Sequence, residues 1–306
     1  MSLFEALVDD AGLFPPTALP MADALRRHRD DLVAGSPVLT HRFLCPASRL
    51  TELRAHLEQA GFPGAGPLAE PIRLGLILDT PEVPPLDGLT VELVEVPGGR
   101  AVALDIPARQ FVEVTAAQLP IEPPPGVGLK IRCGGLTAAA FPTPRELGAF
   151  ITHCAERGIP FKATAGLHNA VRHFHPGLGT DRHGFLNLVL GVCAAVEGHD
   201  PVPVLSTTDV GELVRLAQAV PDGTAERARR LLVSYGSCST STPIDDLTAL
   251  GLIDAPPAAT GYGTGADAGG RTARAATGPA TAGTAADPAT ARAATDPATR
   301  EEPPTR

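Results

Sequence analysis

Through the first 255 or so residues, runs with apolar side chains at alternate positions trade places with stretches whose apolar residues fall three and four apart. The alternating or short apolar runs predict strands at VLTHRFLC (38–45), IRLGLILD (72–79), VELVEV (91–96), QFVEV (110–114), LKIRC (129–133), PFKATA (160–165) and VPVLS (202–206). One more short strand is expected within LFEALVDDAGLFPP near the N-terminus. Helices are expected over PMADALRRHRDDLVAG, stopped by Gly35, and over PASRLTELRAHLEQAG, with Pro46 near its start and Gly61 beyond its end. Further helices follow at TPRELGAFITHCAERG, HGFLNLVLGVCAAVEG and TDVGELVRLAQAV. A last helix, AERARRLLVSYG, is expected to pack across one end of the fold.

Strands alternating with helices imply parallel βαβ units. Eight of them in roughly 250 residues match a (β/α)8 TIM-type barrel. The middle third is expected to be irregular, because three strands there are joined by Pro- and Gly-rich segments too short for full helices. From about Pro256 the composition turns to Ala, Thr, Gly, Pro, Asp and Arg, and DPAT occurs twice, at 287–290 and 296–299. Such a segment buries too little apolar surface to offset the entropy of ordering it. The expected organisation is therefore one barrel domain over 1–255 and a disordered low-complexity tail over 256–306.

Composition narrows the partners. A formal charge of −9, with no dense basic patch, speaks against nucleic acid and anionic membrane surfaces and leaves a small-molecule substrate; a homo-oligomer is compatible with it. The five cysteines are widely spaced with no CxxC pair, which fits reduced thiols. The N-terminus turns acidic before a signal peptide's apolar region forms, and no run of about eighteen apolar residues occurs. A cytoplasmic location is expected.

Side-chain parity locates the candidate chemistry. On LKIRC, Lys130 and Arg132 share one face and Leu129, Ile131 and Cys133 the other; on FKATA, Lys162 and Thr164 oppose Phe161 and Ala163. The amphipathic helices that follow need apolar strand faces to cover, so the cationic faces should look into the barrel. QFVEV likewise turns Glu113 inward with Phe111. Three cations then face one glutamate, a surplus that burial makes costly unless Asp9, Asp79 or Glu95 at other strand ends answers it.

A lysine crowded by cations in a dry pocket loses proton affinity and can attack a carbonyl to form a Schiff base. Lys162 is the first candidate, with Thr164 to relay a proton, and Lys130 is the alternate. Lys-x-Thr-x-Gly at 162–166 resembles the Schiff-base strand of deoxyribose-phosphate-type class I aldolases, a likeness confined to that strand. Gly134, Gly135 and Gly166 offer backbone N–H groups that, with Arg132, could cradle a phosphate or carboxylate. His168 is placed for general acid/base work and Asn187 for substrate binding. Cys133 reads as core packing.

The leading expectation is a Schiff-base or cation-assisted lyase, aldolase-like, acting on a small anionic carbonyl compound such as a keto acid or sugar phosphate, with no cofactor. One alternative is a metal-dependent hydrolase or enolising lyase using a divalent ion at His168, His173, His175 and His183, with Asp79, Glu95 and Glu113 as acids. The other is a non-catalytic small-ligand binding protein. No Rossmann fingerprint, Walker loop or nucleophile elbow is present.

Overall fold

The computed structural model describes residues 2–62, 71–83, 85–99, 101–103 and 107–254. The segment expected to be a disordered tail lies outside these residues.

Eight parallel strands close into a barrel: β1 (Val8–Asp10), β2 (Leu39–Pro46), β3 (Arg73–Ile77), β4 (Thr90–Val96), β5 (Arg109–Val114), β6 (Gly128–Arg132), β7 (Phe161–Thr164) and β10 (Leu232–Ser237). The first seven pair in sequence order, and β10 sits between β7 and β1 to complete the ring. The helices are α1 (Met21–Ala34), α2 (Leu50–Leu57), α3 (Pro144–Arg157), α4 (Phe185–Val196), α5 (Val202–Ser206), α6 (Val210–Gln218), α7 (Asp222–Leu231) and α8 (Ser241–Ala249). Among the described residues no α-helix separates β3, β4, β5 and β6, the irregularity expected of the middle third. A separate antiparallel pair, β8 (His173–His175) and β9 (Thr180–Arg182), decorates the connection after β7.

Local chemistry sets the element ends. Thr143 caps α3 by accepting from Glu146 N–H while the Glu146 carboxylate reaches back to Thr143, and Pro144 occupies the first turn. Gly35 and Gly158 close α1 and α3 in the left-handed region, with φ of 64° and 62°.

Two sequence expectations are corrected. VPVLS forms the short helix α5, whose Leu205 is fully buried and packs near Gly191, while Val202 approaches Gly148. The true eighth strand begins inside the segment expected to be the last helix: α7 ends at Leu231 and β10 starts at the next residue.

The main core lies between barrel and helices. Leu129, Ile131, Cys133, Phe161 and Ala163 all face it, and Phe150 of α3 meets Phe161 edge-on at 5.1 Å. The opposite strand faces look into the barrel, as parity requires. Inside, Gly75 makes room for its neighbours: a Cβ there would stand 2.4 Å from Leu44 Cδ2. The pairing of β3 with β4 skips Glu92, since consecutive Leu74 and Gly75 pair with Val91 and Leu93. That irregularity marks a bulge, which re-aims a side chain.

Candidate active site at the barrel mouth

The barrel interior is threaded by alternating charges. Lys162, fully buried, contacts Asp9 and lies 3.0 Å from Glu95 Oε1. Lys130 Nζ is 2.5 Å from Glu95 Oε2 and 3.0 Å from Glu113 Oε2, and Arg132 Nη1 stands 3.9 Å from Glu113. In the other direction Asp9 Oδ1 accepts from Arg42 Nη1 at 2.7 Å and from the Thr40 hydroxyl at 2.7 Å, while Ser234 donates to Asp9 Oδ2. Arg42 continues to Glu92, which also binds Arg73.

This geometry removes the cation surplus expected from sequence. Asp9 and Glu95 supply the missing countercharges, whereas Asp79 stands apart and accepts from Ser48 N–H and hydroxyl. Burial alone would raise the pKa of Asp9, but Lys162 and Arg42 outweigh it and hold the carboxyl at about 2. Glu95 is likewise held at about 2, its burial overcome by Lys130 and Lys162. For Lys130, desolvation opposes the charge but Glu95 and Glu113 prevail, so its pKa is raised. The premise that cations crowd these two lysines is therefore corrected: the charged contacts of Lys162 and Lys130 are carboxylates.

Toward the C-terminal strand ends the interior opens to solvent. The Arg132 side chain is 52% exposed and that of Glu113 23%. Thr164 pairs with Arg132 across β6 and β7. A cavity of about 500 Å³ opens here, lined in part by Glu113, Thr115, Arg132, Phe141 and Glu146.

The glycines at these strand ends have a steric reason to be glycine. A Cβ on Gly166, whose φ is +73°, would sit 2.7 Å from the Cys133 carbonyl oxygen; one on Gly134 would sit 2.8 Å from Gly166 Cα. Gly135 closely faces Ala140. Tight packing of one connection on the next accounts for all three without an anion.

The same turn sets up a pair that sequence reading did not assemble. Ala165 and Gly166 are both left-handed, with φ of 59° and 73°. Just past this turn, His168 Nδ1 lies 3.5 Å from Cys238 Sγ, which follows the neighbouring strand β10. Burial would raise the Cys238 thiol, but hydrogen bonds from His168 and Thr17 outweigh it and bring it down to about 7. Arg27 of α1 fixes the Cys238 backbone by donating to its carbonyl at 2.8 Å, and is itself paired with Asp10. The clue in the sequence was Cys238 at the end of LLVSYGSC, concealed by the reading of that segment as helix.

Other candidates are engaged elsewhere. Asn187 is fully buried, accepting from Arg172 N–H and donating to the Val204 and Thr207 carbonyls, so its amide ties loops together. His183 is buried against the Pro142 carbonyl at 2.6 Å, and His173 contacts the Val171 carbonyl. His168, His173, His175 and His183 do not converge, and among the described residues no three His, Cys, Asp or Glu side chains form a metal-ligating group. No described helix is long and apolar enough to cross a membrane.

No protein-family model, curated protein or solved structure matches the chain.

Proposed function

We propose that this barrel is an enzyme acting on a small anionic carbonyl compound, a keto acid or sugar phosphate, as a cation-assisted lyase at the C-terminal mouth. The observation that carries this reading is the His168–Cys238 contact, in which a thiol brought down to about 7 meets an imidazole at the strand ends. A group titrating near neutrality serves as either proton acceptor or donor under ordinary conditions. In this reading the pair removes a proton beside the substrate carbonyl, and Arg132 binds the anionic group through its planar fork. Glu113 positions Arg132 and Lys130 on the same side of the mouth. Lys130, Glu95, Lys162 and Asp9 form the charged floor beneath, supplying a fixed field without a change of partners.

Lys162 as a Schiff-base nucleophile is less well supported, because it is fully buried and its ammonium is held between Asp9 and Glu95. Borohydride treatment with a panel of keto acids and sugar phosphates separates the two routes. Turnover of a panel member without any adduct on Lys162, lost in Cys238→Ala and Arg132→Ala, is the expected result. A borohydride-fixed adduct on Lys162 would overturn the proton-transfer route in favour of the imine.

A further inference from the structure

The opposite end of the barrel carries a second concentration of charge. A cavity of about 440 Å³ opens there, with Arg42, Arg73, Arg109, Arg229 and Arg230 in its wall and, among the described residues, Glu5 as its one acidic lining residue. Arg73 and Arg109 are the first residues of β3 and β5, and Arg229 and Arg230 lead into β10, so the cavity sits at the N-terminal strand ends. A chain with a formal charge of −9 thus presents a locally cationic hollow.

Its arginines are unequally neutralised. Arg42 and Arg73 share Glu92, and Arg42 also binds Asp9. Arg229 is only 6% exposed and meets no carboxylate among the described residues: its terminal nitrogens donate to the backbone carbonyls of Glu5, Ala6, Leu232 and Val233. Its Nε is buried without a partner, and desolvation draws its pKa down to about 10, the direction expected of a cation lacking an anion. Arg109 lies over the Phe111 ring at 5.9 Å and, among the described residues, contacts no carboxylate. Among the described residues Arg230 has one distant partner, Glu226 at 3.8 Å, in solvent. Among the described residues, Arg109, Arg229 and Arg230 face only Glu5 in the cavity wall and the solvent-exposed Glu226, which leaves a net positive charge for an anion to meet.

We propose that this cavity is a binding site for a compound carrying a diphosphate or longer phosphate chain. Guanidinium forks match phosphate oxygens in pairs, and a hollow of this size falls within the range of small-ligand sites. The site lies at the other end of the barrel from the proposed active site and stands or fails separately from it.

Calorimetric titration of the full chain with inorganic pyrophosphate at low salt tests this. One equivalent is expected to bind, more tightly than orthophosphate, with affinity reduced at least tenfold in the Arg109→Ala/Arg230→Ala double variant and unchanged in Arg132→Ala. Both substituted arginines are exposed, so circular dichroism should show the wild-type fold. Absence of binding to the wild type, equal affinity for orthophosphate, equal affinity in the double variant, or loss on Arg132→Ala would each overturn the assignment.

Discussion

The Lys162 ammonium sits directly on Asp9, with Glu95 on its other side at 3.0 Å, and none of the three side chains is more than 1% exposed. Removing one member of such a cluster leaves buried charge without its partner, which costs about 3–5 kcal/mol. Lys162→Met is therefore expected to lower the urea midpoint sharply. An unchanged midpoint would mean that the cluster holds little of the stability.

The same cluster fixes an acid limb. Asp9 and Glu95 titrate at about 2 in the folded protein, whereas the unfolded chain takes up the corresponding protons near pH 4. Their stabilisation, on the order of 2 kcal/mol each, is complete above about pH 5 and drains away as pH falls toward 2. Urea midpoints across pH 6 to 3 should decline, and Glu95→Gln should flatten that decline. A slope identical to the wild type would contradict the assignment.

Cys238 should be set apart by its reactivity. Its thiol is lowered to about 7, while burial pushes Cys45, Cys133 and Cys193 up to about 12 and raises Cys154 as well. Iodoacetamide at pH 8 is expected to mark Cys238 first, by peptide mass, with a rate midpoint near pH 7. In His168→Ala that midpoint should move upward, toward an ordinary thiol. Prior labelling of another cysteine would count against the pair.

Gly166→Ala introduces a Cβ 2.7 Å from a backbone oxygen at a residue with φ of +73°. A loss of about 1–3 kcal/mol is expected from strain and clash together. Gly35→Ala meets open space at a similar φ and should cost less, a contrast that thermal melts of the two variants can read.

Much of this arrangement is legible in the chain because strand parity is strict. Once Leu129, Ile131, Phe161 and Ala163 must meet helices, Lys130 and Lys162 have only the barrel interior to enter. The partners were harder to read. Asp9 lies on a strand of only three residues, and Arg42 lies within a strand whose chemistry becomes visible only when β1 pairs beside it. The eighth strand was hidden because α7 ends at Leu231 and β10 begins at Leu232 with no intervening turn residue, so a run of apolar side chains spans both. VPVLS misled for the opposite reason: a five-residue apolar run carries no periodicity long enough to tell helix from strand, and burial of Leu205 beside α4 decides it. The His168–Cys238 pair depends on two strands distant in sequence becoming neighbours, which spacing alone does not show.

Proton exchange at the carbon beside the substrate carbonyl is the most direct measurement of the proposed chemistry. Keto acids and sugar phosphates would be incubated with the protein in deuterium oxide and followed by proton NMR. Loss of that proton signal with the wild type for at least one compound, abolished in Cys238→Ala and in His168→Ala, is the expected result. Exchange that persists at the wild-type rate in both variants, or no enzyme-dependent exchange with any compound, would contradict it.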